Sequence, residues 1–480
     1  MPTRPGAGQP RPSAGRHRGA TVIPLRDLIF GAILAGLIPV ILVRPWTGVL
    51  GWYWVGLMNP HRISWGPLAD APLAMLVGSV TLVAMLYARE RRLPPATPEM
   101  VLLLLFIGHF TIVTFLFSWL PDDAYMLWDI RIKIMLMTLV AIILVTGRER
   151  TTALMAVLAL SVGYYGIKGG LFALRTGFSD MVLGPAGTFI GGNTDIGLAL
   201  AMILPLLLIL ARQVYQGRFA LPIRVPGWER LRRPIGLALY AGFWLTAAAV
   251  VGTHSRGAWV ALAVVAPLLF LGMRFKLTMV ALAVFGVGVV GVTVPDRMAA
   301  QWERLVHYEE DASAQGRIEA WNVAWNIAKE APLTGSGFGT QRLPDALWLS
   351  YYSGDNPDVQ RRAVHSIYFQ TLGNLGFVGL ALFLGILGFT LWSLTRIFLE
   401  ARRATHTLWI AEWAWAIGLG IVAYAVAGAF LSLAYFDLYF AFVAAAIILR
   451  RELRDDRSSA TMPVPAAAPS SLPTTERLGA

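Results

Sequence analysis

Apolar residues recur along the chain in about a dozen long blocks, separated by short polar or basic stretches. The blocks lie near residues 27–43, 46–58, 72–88, 100–118, 131–146, 152–172, 195–211, 235–252, 257–273, 277–294, 367–395, 408–432 and 435–449. Most are long enough for a helix to cross a hydrocarbon core of roughly 30 Å, where a helix satisfies its backbone polar groups internally. The strict apolar/polar alternation of a membrane barrel is missing. The pattern predicts an all-α, polytopic membrane helix bundle of about 12 transmembrane helices.

Residues 1–24 are rich in Pro, Gly and Arg, and residues 450–480 end in Ser, Thr, Pro and Ala; both read as disordered cytoplasmic tails. A secretory leader pattern is poorly met, because the first apolar run begins late, near Leu28, with no small-residue cleavage site behind it. Between the tails the pattern divides into an N-terminal bundle (25–294), a large loop (295–366) and C-terminal transmembrane helices (367–449).

Composition removes the soluble alternative. Hydrophobic residues make up 56% and charged residues 14%, against about 45–50% and 25% in soluble domains. The net charge of +12 comes from 40 Lys and Arg against 28 Asp and Glu. These cations cluster between apolar blocks, as orientation signals do, and no interleaved stacking aromatics suggest nucleic acid. With no Cys, disulfides, thiolate metal sites and a cysteine nucleophile are excluded.

The basic clusters are Arg89, Arg91 and Arg92; Arg148 and Arg150; Arg212 through Arg233; Arg274 and Lys276; Arg396, Arg402 and Arg403; and Arg450, Arg451 and Arg454. Placing each in the cytoplasm gives a consistent alternation from residue 72 to 449, with the C-terminus inside. The basic N-terminal tail also asks to be inside. The block 46–58 is short for a span and reads as a half-helix or a tilted crossing; about 12 crossings with both ends inside is the favoured arrangement.

The opposite face then receives segments near 119–129, 168–194, 253–256 and 295–366. The last is too long for a plain connector. It starts at Pro295, carries Glu309-Glu310-Asp311, and continues as GRIEAWNVAWNIAKEAP from Gly316 to Pro332. Ile318, Trp321, Trp325 and Ala328 recur at helical spacing, which predicts an amphipathic helix lying flat at the interface on that face.

Candidate chemistry collects on the same side. His365, where the loop re-enters the apolar region, reads either as a general base or orienting group for a hydroxyl, or as an interfacial histidine at a helix start. Arg256, in GTHSRGA, runs against the positive-inside preference and invites a phosphate, or else snorkels to the interface. Arg317 opens the loop helix, and Lys168 and Arg175 flank a segment beginning GIKGG. Converging cations of this kind match a diphosphate, although each alone reads as a solvated charge. Asn193, Asp195 and Asp437 stand at helix mouths, where they hold a site or merely cap helices.

Other apparent motifs carry no chemistry. Thr253 to Gly257 is one residue short of a nucleophile elbow and lacks the strand–turn–helix context. Gly335-Ser336-Gly337-Phe338-Gly339 has no preceding strand and no following G-K-[ST], and reads as a flexible turn. None of the seven His forms a zinc-type spacing.

Taken together, SRGA at 255–258, the series from Gly316-Arg317 through Pro332 to Gly335-x-Gly337, and His365-Ser366-x-Tyr368 followed by GFVGL at 376–380 resemble the O-antigen ligase superfamily. LRDLIF, RPWTGVLGWYWVGLMNPHRISWG, GIKGGLF and HYEEDASAQGRIEAWNVAWN are similar to the O-glycosylation ligases associated with exosortase A systems. The resemblance covers most of residues 25–450. It implies an inner-membrane transferase facing the periplasm, which moves a glycan from an undecaprenyl-diphosphate carrier to an acceptor hydroxyl without nucleotide sugar, metal or cofactor. By position, it implies a catalytic His365 and a diphosphate held by Arg256 and Arg317, with Lys168, Asn193 and Asp437 as further carry-overs. Relatives often have Asn where this chain has Ser366, so the acceptor stays open: a protein, a glycolipid or a growing polysaccharide. A polymerase extending lipid-linked repeats uses the same residues. A transporter or flippase is the remaining alternative, although no internal repeat marks one.

Overall fold

The structure, a computed structural model, describes residues 24–64, 66–89, 91–271 and 312–461, and every regular element among them is helical. They are α1 (Leu25–Val43), α2 (Trp46–Tyr53), α3 (Leu73–Tyr87), α4 (Pro98–Ile112), α5 (Pro121–Leu144), α6 (Arg148–Arg175) and α7 (Asn193–Tyr215). Then come α8 (Trp228–Gly252), α9 (Arg256–Leu271), α10 (Ala312–Glu330), α11 (Asp345–Ser350), α12 (Ile367–Ala401), α13 (Leu408–Gly428) and α14 (Asp437–Thr461). The apolar block 277–294, Arg274, Lys276, Pro295 and Glu309-Glu310-Asp311 lie outside the described residues, as do 1–23 and 462–480.

Seven described helices are long and apolar enough to cross a membrane: α1, α4 with its following turn, α6, α7, α8, α12 and α13. α3 and α9 are shorter apolar helices. Two columns form the centre. α7 is buried at every position from Ile196 to Ala211, and α14 from Leu438 to Leu449. A helix apolar on all sides, as both are over these residues, can only be satisfied at the middle of a bundle.

The bundle has two chemically different ends. At one, the basic clusters interlock: Glu412 accepts from Gln213 Nε2 at 2.9 Å and from Arg218 Nη2 at 2.7 Å. There, too, Arg148 donates to the Arg218 carbonyl at 2.7 Å, Arg451 to the Ile142 carbonyl at 2.7 Å, and Arg92 pairs with Asp455. The other, the loop end, gathers Pro60–Ile63, the α6–α7 and α8–α9 connections, and a cap built from α10 and α11. Ala320, Val323, Ile327, Leu343 and Trp348 form a separate small core for this cap. The Arg342–Asp123 pair at 2.6 Å ties it to α5.

The first pass differs from the expected arrangement with both ends on one side, and of the two readings of 46–58 the half-helix is the one not found. α2 continues through a π-helical turn (Trp54–Met58) to Asn59, whose φ of 49° and Nδ2 bond to the Gly56 carbonyl at 2.6 Å close the helix. A Cβ on Gly48 would press on Thr81 and Ile41, and one on Gly51 on Leu37 and Val77, so α2 runs antiparallel to both α1 and α3. Its 13 residues cover about 20 Å. Consequently α1 starts at the loop end, where Arg26 bonds the Ile63 carbonyl at 3.2 Å, and three passes precede Arg89.

Three local features also depart from expectation. α14 stays helical to Thr461, past the predicted tail start at 450, because Arg451, Glu452 and Arg457 anchor it to the Ile142 carbonyl, Gly147 N and Glu400. α10 buries Ala320, Val323, Ala324, Ile327 and Ala328, while Ile318 and Trp325 of the predicted apolar face turn outward. And the 335–339 segment is a packed buckle. Gly335, Gly337 and Gly339 all have positive φ, Ser336 N donates to the Gly373 carbonyl at 2.9 Å, and Phe338 is buried between Phe110 and Tyr435.

α12 itself is broken. Gly376 has φ 66° and ψ −168°, which splits off a first segment, 367–375, from the long remainder. The carbonyl of Leu375, freed by the break, accepts from His109 Nε2 at 3.1 Å, and Phe377 N donates to the Pro332 carbonyl at 2.8 Å. Broken helices of this kind, with backbone groups satisfied by neighbours, are tolerated where protein covers them.

Candidate functional site

The α8–α9 connection is three residues long, and each has a fixed task. His254 takes φ 53° and its Nε2 donates to the Phe178 carbonyl at 3.0 Å. Ser255 Oγ accepts from Ala258 N at 3.3 Å, the bond of a helix N-cap. Arg256 is therefore the first residue of α9, half-buried at a helix terminus whose free N–H groups and dipole already present positive potential. A cation there is unfavourable alone and favourable beside an anion.

Asn193 holds this turn in place. Its Nδ2 donates to the Thr253 carbonyl at 3.1 Å, joining the start of α7 to the end of α8. A Cβ on Gly197 would lie 2.9 Å from Ala258 Cβ and 3.0 Å from Thr253 Oγ1, so only glycine permits this approach of α7 to α9. A Cβ on Gly257, next to Arg256, would lie 3.4 Å from the Ala427 carbonyl and from Phe430. The start of α9 thus abuts the end of α13 and the segment 429–436 that follows it.

That segment also holds His365. Ser432 Oγ accepts from His365 N at 2.8 Å, and Ala434 N donates to Gln370 Oε1 at 3.0 Å. From the cap side, Trp321 Nε1 donates to the Val364 carbonyl at 2.7 Å. Its indole stacks on Phe369, with centroids 5.0 Å apart and planes 4° from parallel. His365 itself takes φ 45°. This left-handed backbone costs a non-glycine residue about 1–3 kcal/mol and persists only where surroundings impose it. The strained turn leaves the imidazole exposed at the loop end. Partial desolvation, and next the charge of Arg317, push its proton affinity below the ordinary histidine value.

The structure thus sets Arg317 near enough to His365 for its charge to act there, and the start of α9, which bears Arg256, against the same 429–436 segment that holds the His365 backbone. Other expected residues lie elsewhere. Lys168 faces an open hollow of about 500 Å³ that it shares with Arg26 and Arg62. Arg175 is exposed in the last turn of α6, where a cation complements the helix dipole. Asp195 Oδ2 accepts from Gly192 N at 3.1 Å and so closes the start of α7. Asp437 is buried at the start of α14, its Oδ1 accepting from Leu438 N at 2.9 Å and its Oδ2 turned toward Gly56. That is a helix-start carboxylate.

One charged residue escaped the sequence reading. Arg131 on α5 is 9% exposed, with its guanidinium carbon 4.2 Å from the Phe338 ring centroid and 4.5 Å from that of Tyr435. Its Nε and Nη1 make no hydrogen bond among the described residues. It joins the 335–339 buckle to the segment bearing Ser432. Its signal was an arginine inside LWDIRIKIM, taken as the edge of an apolar block.

Two stretches of the chain match known family models. Residues 25–214, α1 through α7, match a family of unknown function (DUF5935). Residues 241–384 match the O-Antigen ligase family model, a span that contains Arg256, Arg317 and His365. No match is found among curated proteins. Residues 241–384 are thus similar to an O-antigen ligase domain, in a chain whose described residues are helical and include seven helices long and apolar enough to cross a membrane.

Proposed function

We propose that the chain, in the bacterial inner membrane with its loop end facing the periplasm, transfers a glycan from an undecaprenyl-diphosphate carrier to an acceptor hydroxyl. The observation that supports it most is the setting of His365 at the loop end near Arg317: an imidazole whose proton affinity desolvation and that charge lower, and a guanidinium able to hold phosphate.

The chemistry asks little more. The acceptor oxygen attacks the anomeric carbon, the bond from that carbon to the diphosphate oxygen breaks, and the electron pair leaves with the diphosphate. Arg256 and Arg317 stabilise that departing charge, and His365 orients the hydroxyl and takes its proton. Preorganised cations of this sort typically account for about 10²–10³ in rate. A displacement in line inverts the anomeric configuration. The leaving group is already good, so no nucleotide sugar, metal or cofactor enters the scheme.

A ligase of the exosortase-associated kind would place the glycan on a protein or glycolipid; a polymerase would lengthen chains on the carrier. The same residues serve both. Mass spectrometry of outer-surface proteins, glycolipids and carrier-linked chains, with and without this protein, tests the proposal. Glycan missing from one of these pools when the protein is absent is the expected result. Unchanged glycosylation of all three would reject the transferase reading.

A further inference from the structure

The hollow beside α6 is chemically unlike the two at the basic end. At that end, one of about 490 Å³ sets Glu149 against Arg44, Arg89 and Arg150, and one of about 190 Å³ sets Glu400 against four arginines. The loop-end hollow carries Arg26, Arg62 and Lys168 and no carboxylate in its lining. Lys168 makes no ion pair or hydrogen bond among the described residues, and the acid paired with Arg62 is Asp70, at 3.1 Å, outside that lining. Orientation signals explain arginines at the basic end; they do not explain three cations here.

The walls are apolar and open. Phe172, Met181 and Leu183 are 42%, 45% and 62% exposed, and α1, which contributes Arg26, buries only Asp27, Leu34 and Ile41. Arg256, Arg317 and His365 are not in the lining. The residues from Met181 to Pro185 form one wall, and Val182 among them donates its backbone N–H to the Gly252 carbonyl at 2.8 Å on the side of the α8–α9 turn. A cationic floor with exposed apolar walls at the edge of a bundle suits a phosphate head with a hydrocarbon tail.

We infer that Arg26, Arg62 and Lys168 form a site for the phosphate of a membrane lipid, separate from the transfer centre. The inference rests on the membrane reading of the chain alone. Lipid retention needs no glycan transfer, so its failure and that of the proposed reaction can be told apart.

The test uses the full chain in nanodiscs of phosphatidylcholine containing phosphatidylglycerol, with retained lipid counted by native mass spectrometry. Arg62→Gln combined with Lys168→Gln lowers phosphatidylglycerol retention roughly 30-fold, at about 1 kcal/mol for each of the two cations. Lys168→Arg, which keeps the charge and guards against misfolding, retains the lipid as the unaltered chain does. Inorganic pyrophosphate in millimolar excess does not displace it. Equal retention in the double variant overturns the site, and displacement by pyrophosphate overturns its assignment to a lipid.

Discussion

The indole nitrogen of Trp321 donates to the carbonyl oxygen of Val364 across 2.7 Å, which fixes the residue immediately before His365. The cap therefore acts on the site through the backbone, and Trp321 is a positioning residue. Trp321→Phe keeps the stack on Phe369 and removes only the bond. It should cost about 1 kcal/mol of stability and lower kcat for transfer by roughly tenfold with donor KM little changed. Steady-state kinetics at varied donor concentration checks the split; a rise in KM alone would place Trp321 in donor binding.

The imidazole of His365 works as a base only when neutral. Its proton affinity is lowered by desolvation and by Arg317, so the transfer rate should fall on the acid side, with its limb below the ordinary histidine range. Removing a neighbouring positive charge favours the imidazolium and raises the pKa. Arg317→Gln should therefore shift the acid limb to higher pH, besides weakening donor binding. A rate profile from pH 4 to 9 decides it; an acid limb that stays put, or moves lower, would separate the two residues.

Asn193 contributes through the turn that it holds. Asn193→Ala removes the bond to the Thr253 carbonyl and loosens the start of α9 beneath Arg256. A donor KM raised about three- to tenfold, with stability lowered by about 1 kcal/mol, is expected. Unaltered KM would mean that the turn keeps its shape without this bond.

The 335–339 buckle should be intolerant of side chains. A Cβ on Gly335, at φ 59°, would lie 2.5 Å from the Gly373 carbonyl oxygen, whereas one on Gly147, at φ 82°, meets nothing within 4 Å. Gly335→Ala should thus destabilise by about 3 kcal/mol, from backbone strain plus overpacking, and Gly147→Ala by about 1 kcal/mol, from strain alone. Thermal unfolding in detergent compares them. Equal losses would show the buckle to be pliable.

Much of the fold was legible because membrane helices announce themselves by apolar length, and the basic clusters named one end of the bundle. The side chains at the other end were legible as residue types out of place: Arg256 against the charge rule, His365 at a re-entry point. What escaped was three-dimensional. The break at Gly376 and the π-helical extension after Tyr53 leave no trace in apolar periodicity, because both keep the run unbroken. The buckle was misread as flexible because its rigidity comes from Gly373, Asn374 and Ser118, remote in sequence. On α10, spacing alone could not say which of two overlapping apolar stripes faces inward; the cap core chose Val323 and Ile327 over Ile318 and Trp325. Arg131 is hidden because a charge at the edge of an apolar block reads as the end of that block.

The most direct measurement is transfer of a glycan from a lipid-diphosphate donor by the reconstituted full chain and by its His365→Ala and Arg256→Ala variants, each shown to be membrane-inserted and folded. The account predicts that His365→Ala lowers the rate by about 10²–10⁴ and Arg256→Ala by about 10²–10³. Rates matching the unaltered chain in both variants would contradict it.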